Sequence, residues 1–509
     1  MGQMYIVDGQ DLTDLADAIR EKTGESGSLT WPDDFTDGVS SISGDSAGRH
    51  IYGVRWTYED DGDGTMILPS VGSYTDEAAS FSAPIPFVAG SSQQEWIFNS
   101  LSCGSPFDNL YPWNGMIRVK DKLLVDMVAI PKFWYKWTKT ASYLQLQVAT
   151  YEAEGFNLSP AHRARTANET DRDVVYIARY HADSQMLQSL TGASPMADLT
   201  RAQFRAAISQ QTAQLGQSGY SMQDYAMFWT WRMLYLVEYK NWNGQAAIGY
   251  DCGTGVDYEA TCETCNGTGH VECPTCEGSG TVEETCSTCD GSGTDPSTGE
   301  MCGSCNGSGQ TTSTCSTCEG TGEITCPTCN GTGTVSPEGA QTEPDVNGTT
   351  DTMPYHTGTM QATLATPGQG VQYRYIEDPW GGVAEWIDGW RAGYDDGSSE
   401  SYCAVIMNPA QFSDTQNGQE IIRVPGSISG GWITDWYIPQ VSGYDWALMP
   451  ITDGSGYERS VADGCGFGGP ALLTGGSWFA HADCGPFCLR SGGASNHDAA
   501  FGARLQKLP

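Results

Sequence analysis

Hydrophobic positions change their pattern four times along the 509 residues. In residues 11–20, Leu12, Leu15, Ala16 and Ile19 recur at helical spacing, which predicts a short amphipathic helix stopped at Gly24. A second helical turn through Val39 leads into a Ser/Gly-rich linker at 40–48. So short an apolar stripe cannot fold alone. Residues 1–48 are therefore expected to dock on something else, other copies of the chain included.

From Tyr52 to Tyr250 the pattern becomes mixed. Residues 123–137 run from aliphatic to alternating aromatic positions and predict strand, and residues 174–180 predict another. Helical periodicity covers 196–213 and 222–239. The second of these opens at a candidate N-cap, Ser221, and is almost wholly apolar or aromatic, as a core helix would be. Between Cys262 and Gly333 the pattern disappears. The only aliphatic side chains there are Val271, Val282, Met301 and Ile324, far too little apolar surface to offset chain entropy. After about residue 358, strand and turn patterns resume to Pro509.

What fills the silent stretch is Cys-x-x-Cys-x-Gly-x-Gly, six times. The first cysteines are Cys262, Cys273, Cys286, Cys302, Cys315 and Cys326, giving steps of 11, 13, 16, 13 and 11 residues. The steps form a palindrome, as a hairpin folded at its midpoint requires. First then faces sixth, second fifth and third fourth. Each pair gathers four thiolates, the number that closes a tetrahedral structural zinc site. The predicted quartets are Cys262, Cys265, Cys326 and Cys329; Cys273, Cys276, Cys315 and Cys318; and Cys286, Cys289, Cys302 and Cys305. Three zinc ions per chain would supply the folding energy that the apolar side chains cannot. Residues 294–299 supply the turn. The competing reading is disulfides, for which Cys-x-x-Cys is a poor frame and which a chain without a secretory leader does not favour.

Charge narrows the function. The net charge is −37, and residues 241–373 hold no Lys or Arg, so a phosphate backbone would be repelled. In residues 262–333, twelve thiolates and ten carboxylates against three divalent cations leave −16, which favours a solvated projection. No apolar run has the length of a membrane span, and the start at Met1 lacks a basic leader, so synthesis and folding in a cytoplasm are expected. The 63 Gly, 16 Trp and 24 Tyr imply a loop-rich chain with few long helices.

The cysteine repeat resembles the cysteine-rich region of DnaJ-class chaperones, which has four such copies where this chain has six. No His-Pro-Asp of a J domain occurs, so chaperone activity does not come with the motif. Residues 1–43 are similar to an N-terminal module of phage tail and baseplate proteins. Three further stretches carry a second resemblance. They are residues 105–113 (Ser-Pro-Phe-Asp-Asn, then Tyr-Pro-Trp), residues 373–389 with Trp380 and Glu385-Trp386, and residues 475–478 (Gly-Gly-Ser-Trp) closing with 501–505. They resemble the C-type-lectin fold shared by formylglycine-generating enzymes, phage receptor-binding proteins and retroelement variable proteins such as the major tropism determinant. Gly382 and Ala384 depart from that pattern, where Asn and Trp are expected. In this fold Trp380, Trp386 and Trp478 would be core fillers.

The resemblance implies an α+β fold with a C-type-lectin-like domain at 52–250 and 358–509. The zinc-binding β-hairpin arm (core 262–333), flanked by Gly-, Thr- and Asp-rich linkers, is expected to interrupt it at 251–357. It also implies a virion tail protein, made in the host cytoplasm, that recognises a bacterial surface receptor, protein or glycan. Its further partners would be other tail or baseplate proteins and two copies of itself in a trimer, with no nucleic acid and no membrane insertion. In retroelement variable proteins the last segment is the diversified ligand surface. Here that segment offers Phe479, His481, Asp483, Phe487, Arg490, Asn496, His497 and Asp498, aromatic and polar residues on a stretch between two expected strands. The alternative is a formylglycine-generating-type metallo-oxidase, whose copper-holding cysteine pair would be Cys484 and Cys488. Their spacing is four where the family has five, and Ser491-Gly492-Gly493 stands where an Arg-Tyr-Arg-like run is expected. The seven histidines are scattered and contain no His-x₃-His-x-Glu. No catalytic residues are therefore assigned.

Overall fold

The computed structural model describes residues 48–60, 66–88, 104–120, 125–183, 189–214, 216–249, 260–261, 264–265, 268–327, 334–335, 346–351, 359–361, 370–394, 401–414, 420–424, 431–452, 464–467, 470–477 and 485–509. The helical module predicted at 1–43 lies outside them. The architecture is mixed α+β, with few helices and extensive antiparallel sheet. The chain divides into two compact units, Met1–Gly255 with Gln341–Pro509, and Val256–Ala340.

The first unit, the body, is built on two five-stranded sheets and one of seven strands. Strands from before and after the cysteine-rich stretch share a sheet. The C-terminal strand Arg504–Lys507 lies between Tyr220–Met222 and Val174–His181, pairing Met222 with Leu505 and Tyr176 with Lys507. The predicted strand at 123–137 is two strands, Asp126–Pro131 and Trp134–Lys139. In the seven-stranded sheet the order is Met449–Thr452, Gly431–Tyr437, Gly464–Phe467, Gly485–Gly492, Ala471–Gly475, Ala384–Ile387 and Phe501–Gly502.

The core helix is Tyr225–Tyr239, and all fifteen of its residues are buried. It starts three residues later than periodicity predicts. Ser221 sits in a strand against Gln506, and the Asp224 side chain caps the helix by accepting from the Met227 amide at 2.8 Å. A carboxylate at that end also meets the positive pole of the helix dipole. The helix ends at Lys240, which takes a left-handed conformation and donates its amide to the Leu236 carbonyl. The other predicted helix runs Arg201–Gln214 rather than from Met196. Its start is a reciprocal box: the Thr200 amide donates to Gln203 Oε1 at 2.8 Å, and the Gln203 amide to Thr200 Oγ1 at 3.2 Å.

A buried helix of this kind needs its few charges paired. Arg374 grips Glu238 with two bonds, of 2.7 and 2.6 Å, and both side chains are at most 2% exposed. Arg504 holds Glu385 at 2.6 Å, and Arg201 holds Asp414. Each pair joins a residue before the cysteine-rich stretch to one after it, or the C-terminal strand to the seven-stranded sheet. Trp380 and Trp386 are buried as expected, and their indole N–H groups donate to the carbonyls of Gly249 and Leu199. Trp478 lies outside the described residues.

One expectation is corrected here. Residues 346–351 read as linker, yet they are built into the body. Glu377 accepts from the amides of Gly348 and Thr350, and Arg179 donates to Thr350 and Asp351. Asn347 Nδ2 donates to the His181 carbonyl at 3.0 Å. The segment is polar because it is bonded, not because it is solvated.

Candidate metal centres and the C-terminal segment

The cysteine-rich unit is a ladder of two strands in one unbroken register. Ala260 pairs with Val335, His270 with Thr325, Thr281 with Thr314, and Thr294 bridges Met301; the paired numbers add to 595 each time. Three short ladders (260–261 with 334–335, 270–272 with 323–325, 281–285 with 310–314) alternate with the cysteine knuckles. At the turn, the Asp295 carboxylate accepts from the Ser297 amide at 2.8 Å, and the Gly299 amide donates to the Asp295 carbonyl.

Two quartets come together as the spacing predicts: Cys273, Cys276, Cys315 and Cys318, and Cys286, Cys289, Cys302 and Cys305. In each, all four sulfurs lie within 4.8 Å of one another. Across the ladder the Sγ–Sγ distances are 3.8 and 3.6 Å in the first and 3.9 and 3.7 Å in the second. A tetrahedron with metal–sulfur bonds of about 2.3 Å has edges of about 3.8 Å. Both quartets are therefore shaped to chelate a metal ion. Of the third, Cys265 and Cys326 are buried side by side with Val271 against them, while Cys262 and Cys329 lie outside the described residues.

The backbone explains why each residue of the motif is there. The amide of the first cysteine in a knuckle donates to the carbonyl of the last glycine opposite, and the favour is returned. Cys273 donates to Gly322 at 2.8 Å and Cys315 to Gly280 at 3.0 Å; Cys286 to Gly309 and Cys302 to Gly293, both at 2.9 Å. That last glycine cannot be replaced. At Gly280, φ is +72° and an added Cβ would stand 2.3 Å from the Gly320 carbonyl oxygen. In the four knuckles where it is described, the residue after the second cysteine is left-handed: Glu277, Asp290, Asn306 and Glu319 have φ between 46 and 50°.

A further element of the motif escaped sequence reasoning. Between the two glycines stands Ser or Thr in all six copies. Thr268, Ser279, Ser292, Ser308 and Thr321 each donate to the carbonyl of the second cysteine at 2.6–2.7 Å. The signal was in the repeat itself, where a hydroxyl residue recurs at that place in every copy; in the five described copies its own amide also donates to the same carbonyl, at 3.0 Å.

The thiols within a quartet are not equivalent. Burial and the neighbouring thiols push Cys276 and Cys289 up to about 11. Burial also works against the Cys318 and Cys286 thiolates. Backbone amides overcome it, chiefly that of Gly322 for Cys318 and those of Thr288 and Cys289 for Cys286, bringing the two down to about 6 and about 7. Against the same burial, backbone amides hold Cys315 and Cys305 below the ordinary thiol value as well, so each quartet has two sulfurs that ionise more readily than a free thiol, which favours displacement of the remaining protons by a divalent cation.

The C-terminal candidates separate. Phe487 is a core residue, 1% exposed, with its ring 4.8 Å from that of Trp242 and 5.8 Å from that of Trp436. It offers no surface to a ligand. The expected irregular stretch contains the strand Gly485–Gly492, central in its sheet between Gly464–Phe467 and Ala471–Gly475. Arg490 is half-buried in that strand. Asn496, His497 and Asp498 are exposed together on the following turn. The turn is gripped from both sides: Phe501 and Asp198 donate their amides to the Asp498 carbonyl, and His497 Nδ1 lies 2.7 Å from Asp198 Oδ1. Asp198 was not among the predicted residues, because nothing local in sequence couples it to residue 497. Phe479, His481 and Asp483 lie outside the described residues. Of the oxidase pair, Cys488 is buried at 1% exposure and Cys484 lies outside the described residues. Searched as a whole, the chain matches no family model and no curated protein.

Proposed function

We propose that this is a receptor-binding protein of a phage or prophage tail, with a C-type-lectin-like body and a cysteine-rich insert held by three structural zinc ions. The observation that carries the metal part is the register. It brings two quartets to tetrahedral spacing and continues unchanged to Ala260–Val335, on the far side of Cys265 and Cys326. Zinc is the ion that four thiolates and a tetrahedron favour. Four protein ligands fill the coordination sphere and leave no position for water or substrate, so the metal's part is structural.

Recognition is the reading for the body. The exposed turn of Asn496, His497 and Asp498, beside Asp198, is polar and short, and it is anchored on strands at both ends. Such a turn loses little entropy on binding and suits contact with a protein or glycan on a bacterial surface. Closed symmetry through residues 1–48 would make the particle trimeric, and retroelement diversification of the last segment would vary the contact. The net charge of −37 argues against nucleic acid as the partner. No helix among the described residues is long and apolar enough to cross a membrane.

The test is attachment to host cells by the full protein with Asn496→Ala and His497→Ala combined. Attachment should fall at least tenfold with the melting temperature of the body unchanged. Full attachment by that variant, with the same melt, would remove the receptor site from this turn.

A further inference from the structure

The steps between knuckles are unequal, and we infer that this inequality is a register key: within one chain it permits one pairing of the six knuckles and leaves every slipped pairing unable to close more than one metal site. The inference rests on the quartets being metal sites.

The ladder between the outer and middle quartets has three residues per strand, 270–272 with 323–325; that between the middle and inner quartets has five, 281–285 with 310–314. In the observed register three faces three and five faces five. Suppose the hairpin slips by one knuckle, so that the second faces the fourth and the first the fifth. A step of 11 residues then lies opposite a step of 13. The opposite slip, third to fifth and second to sixth, sets 13 against 11. Two chains pairing their first strands antiparallel, first knuckle to third and second to second, meet the same mismatch; the offset pairing, first to second and second to first, closes two sites but leaves the third knuckle of each strand unfilled. Two residues of strand amount to about 7 Å, whereas the edge of a thiolate tetrahedron is about 3.8 Å. Once one site has closed, the next is pulled open by more than its own width.

The knuckles themselves provide no such discrimination. All six share one motif, and the reciprocal amide bonds of the two described quartets are the same. The difference of two residues, rather than one, also matters. Side chains alternate with period two, so Val271 and Val282 stay on the face that leans on the cysteines. A difference of one would have turned one of them away. Identity is thus encoded only in spacer length, at no cost to packing.

The experiment refolds the full chain with zinc and reads metal content and mass together by native mass spectrometry. In the equalised variant, Val271-Glu272 and Ile324-Glu323 are each duplicated in place, so that all four steps become 13. In the exchanged variant the long and short ladders trade places, so the steps become 13, 11, 16, 11 and 13. The native chain and the exchanged variant should each give one zinc-loaded species per assembly state. The equalised variant should add species with fewer zinc ions per chain and zinc-bridged dimers that grow with refolding concentration. A single species from the equalised variant would overturn the register key, as would heterogeneity of the exchanged variant. Native protein that binds no zinc would instead overturn the metal reading on which it rests.

Discussion

The two units solve the same problem with opposite means. The body buries a fifteen-residue helix on every side; the helix's own Trp229 meets Trp436 edge to face, and Trp436 meets Phe487 the same way. Among its described residues, the cysteine-rich unit has three small apolar clusters whose buried members are all cysteines. In the body, chain entropy is offset by apolar area, and position is specified by buried ion pairs. In the insert, the metal reading gives both purposes to the thiolates. The lesson is that a glycine-rich chain without a core can still have one register, provided metal ligands recur at spacings that agree in only one way.

If the contrast is right, damage to one unit should spare the other. The largest effect is expected from Glu238→Ala, which leaves the Arg374 guanidinium buried without its bidentate partner. Breaking such a pair costs about 3–5 kcal/mol. The body's cooperative melt should fall sharply or vanish, while zinc content stays at the native value. Loss of metal in that variant would mean that the insert depends on the body.

The converse break is Gly280→Ala. Its Cβ has no room against the Gly320 carbonyl and its φ of +72° is unfavourable to any side chain, so the middle quartet should fail to close and zinc content should drop by one. Gly303→Ala meets nothing within 4 Å and should be silent. Equal metal content for the two variants would contradict the role given to the last glycine of the knuckle.

Acid sharpens the comparison from the side of the body. Burial pulls His162 down to about 3, against the opposing pull of its bond to the Ile130 carbonyl. The unfolded chain takes up a proton below about 6.5 that the folded chain refuses. Stability from this group therefore falls as pH drops from about 6.5 to about 3, by about 1.4 kcal/mol per pH unit. His162→Gln should flatten the slope of body stability against pH in that window; an unchanged slope would place the proton elsewhere. The smallest effect belongs to Ser279→Ala, which removes the hydroxyl bond to the Cys276 carbonyl and keeps the bond from the residue's own amide. A loss of about 1 kcal/mol confined to the insert should appear as faster zinc exchange with an unmoved body melt.

Much of the insert was legible in sequence because its information is one-dimensional. Spacing alone fixes which knuckles face each other, and the described ladders follow it. The body hid more. The Asp224 cap went unseen because Ser221 was an equally good N-cap candidate by type, and only the pairing of Ser221 with Gln506 takes it out of the helix. The strand Gly485–Gly492 looked like loop, since Gly, Pro and Ser usually mark turns. In the middle of a covered sheet those small residues allow close packing instead, and Phe487 supplies the core contact. Residues 346–351 looked like linker for a related reason. Composition cannot distinguish a polar side chain facing water from one bonded to Glu377 or Arg179.

The most direct test of the account is elemental analysis of the purified full chain, followed by hydrogen exchange with and without a chelator. The account predicts close to three zinc ions per chain. Chelation should abolish protection across residues 268–327 and leave that of the helix Tyr225–Tyr239 intact. Protein with neither zinc nor free thiols, or an insert that keeps its protection after the metal is removed, would contradict it.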